Sequence, residues 1–176
     1  MRNVVLYIAM SLDGFIAKSD GDVSWLCGDG SDIENLGSYP NFYNSIDTII
    51  LGYNTYSQIV NELSRDNWVY NDKLTYVFTT KSLESRENII FTSQDLVSLV
   101  NDLKGKNGQD IWVCGGANIV KQMINLDLID KLIISIIPTI VGNGIRLFAD
   151  CKNINLKLIK TYTYNGIVDL VYTKNN

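Results

Sequence analysis

Two adjacent glycines, Gly115 and Gly116, follow a short apolar run that ends at Cys114, and a helical pattern begins at Ala117. Because glycine has no Cβ, the backbone there can approach a ligand closely, and the first N–H groups of the helix can bind an anion. A pyrophosphate suits this arrangement. A tight turn without a ligand explains the same pair equally well, and the sequence contains neither the Gly-x-Gly-x-x-Gly fingerprint nor the Gly-x-x-x-x-Gly-Lys-Ser/Thr loop.

Two other segments also stand where an apolar run ends. Residues 52–56 begin a helical pattern in which Asn54 or Thr55 could cap the helix and leave its N–H groups for a second phosphate. Residues 79–81 offer two hydroxyls and one ammonium, a set that suits a phosphate or a ribose. An ordinary capped helix and a solvated turn are the simpler interpretations of each alone. Their shared position is the stronger signal, because ligands bind outside the carboxyl ends of strands in open α/β sheets.

Aromatic residues in the polar stretches could line a pocket for a flat ring, although most Trp and Tyr side chains belong to the core or its rim. The candidates are Trp25, Phe42, Tyr43, Trp68 and Tyr70. Asp13-Gly14 is a turn signal, and an aspartate there usually bonds its own backbone.

The chain has no histidine, which excludes imidazole zinc sites, Ser-His-Asp triads and histidine proton shuttles. A general acid must then be a carboxylic acid, Tyr, Lys, Cys or a positioned water. The three cysteines share no metal-ligand spacing, so no metal site is expected. The net charge of -4 argues against nucleic acid or an anionic membrane as the main partner. Without a signal-peptide pattern or a bilayer-length apolar stretch, we expect a cytoplasmic protein with a small-molecule substrate.

Apolar runs and helical patterns alternate through the first two-thirds of the chain. Runs without internal alternation suit strands buried on both faces of a parallel sheet, and this order predicts an open sheet covered by helices on both faces. The predicted strands are residues 4–9, 48–51, 74–79 and 111–114, and the predicted helices are residues 56–63, 93–103 and 117–126.

The last third predicts strands at residues 131–137, 156–164 and 167–173, with Asn165-Gly166 as a hairpin turn between the last two. The expected fold class is therefore α/β, with a parallel sheet that ends in an antiparallel hairpin. No repeat or linker-like stretch interrupts the chain, so residues 1–176 are predicted to form a single domain. Residues 28–40 and 64–72 read as polar loops.

Taken in order, several segments resemble the dihydrofolate reductase superfamily. The most similar group contains small single-domain proteins akin to the reductase domain of bifunctional riboflavin-biosynthesis enzymes. The matching pieces span nearly the whole chain: Ser-Leu-Asp-Gly-Phe-Ile-Ala at 11–17, Asp-Thr-Ile-Ile-Leu-Gly-Tyr-Asn-Thr-Tyr at 47–56, Cys-Gly-Gly-Ala-Asn at 114–118, Leu-Ile-Asp-Lys-Leu at 128–132 and Ile-Pro-Thr-Ile-Val-Gly-Asn-Gly-Ile-Arg-Leu-Phe at 137–148. The resemblance implies a three-layer α/β/α fold with a mixed, mainly parallel sheet, and hydride transfer from NADPH.

The resemblance also implies a cofactor site. Ala9 and Ile16 would flank the nicotinamide under a loop formed by residues 19–23. The pyrophosphate would be held by Gly52, Asn54, Thr55, Gly115, Gly116, Asn118 and Ile119, and the adenosine end by Thr79, Thr80 and Lys81. In this family the paired glycines are often joined by a cis peptide bond.

The sequence differs from the family pattern at three places, and these limit which family properties the chain is expected to share. Tyr53 stands where the family often has an arginine for the 2′-phosphate of NADPH, and a single ammonium at Lys81 lacks the arginine's fork, so NADH is not excluded. The Arg-containing stretch that holds a ribose phosphate in the riboflavin enzymes is not found between Ile59 and Asn71. Cys114 occupies a position where those enzymes commonly have glutamate.

Dihydrofolate reductases place a carboxylate against the pterin after a Trp-containing loop. Asp32 is the nearest candidate for this catalytic role and Asp29 is the alternative, while a solvated loop aspartate is the competing interpretation of either. Trp25, Phe42 and Tyr43 are the predicted substrate wall.

The sequence thus predicts an NAD(P)H-dependent oxidoreductase acting on a small heterocyclic or carbonyl-type substrate, similar to 5-amino-6-(5-phosphoribosylamino)uracil reductase. A non-catalytic nucleotide-binding protein on the same fold is the alternative, and a true dihydrofolate reductase is a third. Relatives of this kind are often homodimers, so we expect a homodimer.

Overall fold

A computed structural model describes residues 1–65 and 67–175. In this part of the chain the strands are β1 (Val4–Ser11), β2 (Phe15–Ala17), β3 (Ile46–Gly52), β4 (Leu74–Phe78), β5 (Ile89–Thr92), β6 (Asp110–Gly115), β7 (Lys131–Ile137), β8 (Ile145–Arg146), β9 (Leu156–Tyr164) and β10 (Ile167–Lys174). The helices are α1 (Tyr39–Asn44), α2 (Tyr53–Gln58), α3 (Leu96–Lys104) and α4 (Ala117–Asn125), and a π-helical turn (Ile59–Leu63) continues α2.

One mixed sheet organises the molecule, with strand order β5-β4-β3-β6-β1-β7-β10-β9. The strands from β5 to β7 are parallel, whereas β10 pairs antiparallel with both β7 and β9. Asn165 and Gly166 connect β9 to β10 with φ values of 46° and 72°. Positive φ at both central residues belongs to the turn that suits a two-residue hairpin, so the predicted hairpin is confirmed. The short strands β2 and β8 form a separate antiparallel pair.

Alternate side chains of the central strands pack against helices on opposite faces. On β1, Val4 and Leu6 lie in the core shared with α3 and α4, and Val5 and Tyr7 lie in the core shared with α1 and α2. All four are buried, and a fully buried aliphatic side chain stabilises a fold by roughly 1.5–3 kcal/mol. Burial on both faces explains the unbroken apolar runs, and it confirms the predicted three-layer architecture.

Some element bounds differ from the predictions. The helix expected over 93–103 begins at Leu96, because Asp95 caps it: the Asp95 carboxylate accepts the Ser98 N–H at 2.9 Å. The helix expected over 56–63 begins at Tyr53 and ends in the π-helical turn. Helix α1 and strand β5 were not predicted, since each is short and their side chains carry no clear period.

None of the helices among these residues has both the length and the apolar character needed to cross a bilayer.

Candidate functional site

A cleft of about 1370 Å³ opens where β1, β3, β4 and β6 end. Its lining includes the last residues of these strands and the first residues of α2, α3 and α4. Ligands bind at this edge of open α/β sheets because the loops diverge there and helix N-termini point into the gap. The topology therefore forms a concave site before any particular side chain is considered.

The predicted cofactor residues come together in this cleft. All of them line it except Gly115, which is buried directly behind it. The lining members are Ala9, Ile16, Gly52, Asn54, Thr55, Thr79, Thr80, Lys81, Gly116, Asn118 and Ile119. Residues from five separate segments thus meet at one place, although their binding role stays a prediction.

Gly52 and Gly116 have little room for a side chain. A Cβ on Gly116 would lie 3.1 Å from Thr55 Oγ1, and a Cβ on Gly52 would lie 3.2 Å from Ile119 Cγ1. Gly115 has a φ of +119°, and its peptide bond to Gly116 is cis. We call Gly52, Gly115 and Gly116 with the first turns of α2 and α4 the glycine cradle.

The helix starts in the glycine cradle have no side-chain caps. Gly52 is the N-cap of α2 and Gly116 is the N-cap of α4, and neither can supply an oxygen to the first N–H groups. The prediction that Asn54 or Thr55 would cap α2 is wrong, because both residues lie inside its first turn. Unpaired N–H groups at a helix start are the donors that an anion takes up.

A cation lies at one end of the cleft, beside the residue that departs from the family pattern. The Lys81 ammonium lies 4.0 Å from the centre of the Tyr53 ring, within the range of a cation–π interaction. Lys81 is the one Lys or Arg among the described residues that line the cleft. The aromatic ring therefore holds the ammonium where positive charge is otherwise absent from the described lining.

The loop of residues 19–23 borders the cleft and is held in place from two sides. Gln58 Nε2 donates to the carbonyl oxygen of Gly21 at 2.7 Å, which ties the loop to α2. Lys18 and Asp22 form an ion pair at 2.7 Å across the base of the loop. The hydrogen bond from Lys18, with those from Ser24, lowers the pKa of the Asp22 carboxyl to about 2, so this pair is charged at neutral pH.

On the α1/α2 face of the sheet, the cleft ends at Tyr70 and Cys114. The Tyr70 hydroxyl and the Cys114 thiol are the polar side-chain groups of these two lining residues. Burial raises the pKa of both groups, that of the thiol to about 12 and that of Tyr70 well above its usual value, so both stay protonated at neutral pH. The Tyr70 ring packs edge-on against Trp112 and Trp68, with centroids 5.1 and 5.4 Å away.

The predicted substrate wall is not part of the cleft lining. Phe42 is buried in the core, edge-on to Tyr7 at 4.6 Å between ring centroids. Trp25 is also buried, and its indole N–H donates to the carbonyl oxygen of Asp22 at 3.2 Å. Tyr43 donates its hydroxyl to Asp72. The composition of the loops could not separate aromatic residues that fill the core from those that face a ligand, and Tyr70 is the aromatic candidate of that group that does line the cleft.

Asp32, the predicted catalytic carboxylate, is exposed and does not line the cleft. Its side chain accepts from Asn35 Nδ2 at 2.9 Å, and its N–H donates to Asn165 Oδ1 at 3.2 Å. Asp29 is exposed in the same loop and bonds to Ser31 at 2.9 Å. The solvated-loop interpretation therefore fits both residues, because the hairpin turn holds their loop away from the cleft. The carboxylates that do line it are those of Asp20, Glu62 and Asp95.

Sequence reasoning did not find a buried carboxylate in β10. Asp169 is fully buried and accepts hydroxyl hydrogen bonds from Ser38 at 2.5 Å, Ser135 at 2.6 Å, Tyr164 at 3.1 Å and Tyr7 at 3.3 Å. Its one sequence signal is an acidic residue at an inward-facing position of a strand. Because its acceptor sites are taken up, this network fastens the start of α1 to the sheet and does not offer a free group to a ligand.

Asp13 acts at longer range than its turn motif suggests. Its carboxylate accepts the Ser11 hydroxyl at 2.6 Å and the N–H groups of Val141 and Gly142 at 3.0 and 2.7 Å. These bonds lower its pKa to about 2 and join the loop after β1 to the loop after β7. Asp13 therefore fixes these two loops relative to each other.

Comparisons with known proteins agree with this geometry. The family model described as RibD C-terminal domain matches residues 2–170. The uncharacterized protein YwjB of Bacillus subtilis (strain 168) is 38% identical over 98% of this chain and 98% of its own length.

Two solved structures share the fold. A protein of Shewanella sp. PV-4 that is named for riboflavin biosynthesis superimposes with a TM-score of 0.84 at 23% identity, over 99% of each chain. Dihydrofolate reductase of Enterococcus faecalis, solved with NADP(H), superimposes with a TM-score of 0.63 at 15% identity, over 99% of this chain and 97% of that one. The chain therefore belongs to the RibD C-terminal domain family, and it has the fold of these two solved structures, dihydrofolate reductase among them.

Proposed function

We propose that this protein is an NAD(P)H-dependent reductase that transfers a hydride to a small heterocyclic or carbonyl-type substrate. The observation that carries the proposal is the glycine cradle. Two helices start there without side-chain caps, at glycines where an added Cβ would lie only 3.1–3.2 Å from a neighbouring side chain. Such a surface fits a pyrophosphate, whose oxygens take up the N–H groups that the protein leaves unpaired.

The described residues fit the rest of a dinucleotide. Lys81, Thr79 and Thr80 lie at one end of the cleft for the adenosine, and Ala9 and Ile16 lie beside the cradle for the nicotinamide. When bound, the cofactor supplies the hydride. The protein supplies the position: the loop of residues 19–23, tied to α2 through Gln58, borders the nicotinamide end and limits the entry of water.

Lys81 favours NADPH over NADH in this proposal, because a 2′-phosphate adds negative charge near the single cation of the described lining. A lone ammonium binds a phosphate less selectively than a guanidinium, so the preference is expected to be moderate.

The first experiment is a titration of the purified protein with NADPH and NADH, followed by intrinsic tryptophan fluorescence. The proposal predicts micromolar binding of NADPH. Absence of binding of either nucleotide at millimolar concentration would refute it.

A second measurement separates the reductase from a non-catalytic binding protein. Oxidation of NADPH is followed at 340 nm with flat heterocycles, dihydrofolate among them. Turnover supports the reductase, and turnover of dihydrofolate with tight antifolate binding would indicate a true dihydrofolate reductase. Tight cofactor binding without turnover of any compound would favour the binding protein.

A further inference from the structure

The part of the cleft on the α1/α2 face differs in chemistry from the glycine cradle. We call it the inner lobe and define it by its lining residues Asp20, Val23, Leu26, Ile59, Glu62, Leu63, Tyr70 and Cys114. It adjoins the cradle directly, because Cys114 is the residue before Gly115. Under the proposed function, this lobe is the part of the cleft that would hold a substrate next to a nicotinamide at Ala9 and Ile16.

The formal charges of the inner lobe are all negative. Asp20 and Glu62 contribute carboxylates, and no Lys or Arg lies among the described lining residues of the lobe. Three cations lie within three residues of the lobe along the chain, and each contacts a group outside it. Arg65 Nε donates to the carbonyl oxygen of Asn61 at 2.7 Å. Lys18 pairs with Asp22 at 2.7 Å, and Lys73 pairs with Asp72 at 3.4 Å and lies over the Tyr43 ring. A phosphate entering the lobe would meet two carboxylates and no Lys or Arg among the described lining residues of the lobe.

The polar groups deep in the inner lobe are neutral. The Tyr70 hydroxyl and the Cys114 thiol line the cleft, and the Tyr70 ring packs edge-on against Trp68 and Trp112. An aromatic ring with one hydroxyl suits a flat ligand, because the hydroxyl can donate to a ring nitrogen or a carbonyl oxygen.

We infer that the substrate is a flat heterocycle without a phosphate, neutral or cationic, whose ring nitrogen or carbonyl oxygen accepts a hydrogen bond from Tyr70. This inference rests on the proposed function for the position of the ring but not for its charge. The inferred substrate differs from a pyrimidine that carries a ribose phosphate. An enzyme that reduces such a pyrimidine needs a cation for the phosphate, and the described residues of the inner lobe include none.

The test is calorimetric binding of a matched pair of compounds to the protein, both with and without saturating NADPH. The pair is 5-amino-6-(5-phosphoribosylamino)uracil and the same compound after removal of its phosphate. We expect the dephosphorylated compound to bind at least tenfold more tightly in either form of the protein. Equal or tighter binding of the phosphorylated compound would overturn the inference, as would failure of both to bind at millimolar concentration.

Charge reversal provides the matched control. Glu62→Lys should reduce the tenfold preference to less than threefold, whereas Glu34→Lys, the same change at an exposed residue outside the cleft, should leave it unaltered. Both positions are exposed, so both variants should fold. An unchanged preference in Glu62→Lys would count against the inference.

Tyr70→Phe tests the hydrogen bond separately. The ring and its packing remain, and the dephosphorylated compound should bind roughly three- to tenfold more weakly, the size of one net hydrogen bond. NADPH affinity should not change. If the dephosphorylated compound binds as expected but NADPH does not, the charge preference stands, whereas the reductase proposal and the position of the ring that rests on it fail.

Discussion

Three helices begin at the same cleft, and they differ in whether a side chain caps their first N–H groups. Helix α3 is closed by Asp95, whose carboxylate accepts the Ser98 N–H. Helices α2 and α4 start at Gly52 and Gly116, which supply no such oxygen. An aspartate at the N-cap stabilises the helix, whereas a glycine leaves the donors to an external anion. The cap of α3 therefore contributes to stability, whereas the starts of α2 and α4 leave N–H groups that can bind a ligand.

The largest expected effect follows from filling the cradle. Gly116→Val would place methyl groups against Thr55 Oγ1, only 3.1 Å from the new Cβ, and would obstruct the approach of a pyrophosphate. NADPH affinity should fall at least 100-fold in fluorescence titrations. Gly105→Val, at an exposed glycine at the end of α3, is the control and should bind normally. Normal binding by Gly116→Val would mean that the cradle does not hold the nucleotide.

A smaller effect is expected from the single cation of the described lining. Lys81→Ala should weaken NADPH binding about tenfold and leave NADH binding within twofold, because only NADPH carries the 2′-phosphate. Tyr53→Leu, which removes the ring beneath the ammonium, should weaken NADPH binding by roughly threefold. The ratio of the two dissociation constants is the measurement, and equal losses for both cofactors would assign Lys81 a different role.

Substitution of the α3 N-cap, Asp95, should change the stability of the protein and leave its affinity for NADPH unchanged. Asp95→Ala removes the acceptor of the Ser98 N–H, and Tm should fall by roughly 2–4 °C. Asp95→Asn keeps a cap and should remain near the wild-type Tm. Differential scanning fluorimetry with and without NADPH checks both, and the stabilisation by NADPH should be the same in all three proteins. A cofactor-binding defect in Asp95→Asn would show that α3 takes part in the site.

The smallest effect concerns pH. Hydrogen bonds from Ser98 lower the pKa of the Asp95 carboxyl below its ordinary 3.8, so its stabilising contribution is complete above that pH and is lost as the pH falls below it. Urea unfolding between pH 5 and 2 should therefore show a steeper loss of stability in the wild type than in Asp95→Asn. Parallel curves for the two proteins would exclude Asp95 as a contributor.

Much of the fold was predictable from sequence because the strands are buried on both faces. The runs at 4–9, 48–51 and 111–114 lie within β1, β3 and β6, and Asn165-Gly166 forms the expected turn. Strand β5 and helix α1 were missed because they are short, and packing against neighbours determines their conformation. The homodimer stays a prediction, for which sedimentation of the purified protein is the measurement.

The site divides in a similar way. The glycines expected at the cofactor site lie at the cleft, since Gly115-Gly116 after a strand has a local conformational meaning, and their binding role stays a prediction. Of the aromatic candidates, Phe42 and Trp25 are buried outside the lining, whereas Tyr70 reaches the cleft from a loop. Asp32 was selected for its proximity in sequence to a tryptophan, but the contact with Asn165 depends on a turn more than a hundred residues away.

By itself, the sequence determined the alternation of strands and helices, the hairpin at the end of the chain and the glycines at the strand ends, because period, turn chemistry and the lack of a Cβ are local properties. Tertiary packing was needed to show that Gly116 faces Thr55, that Lys81 lies over Tyr53, and that Tyr70 and Cys114 line the same cleft. These contacts join residues from different strands and loops, and their geometry follows from strand order and packing that no short segment encodes.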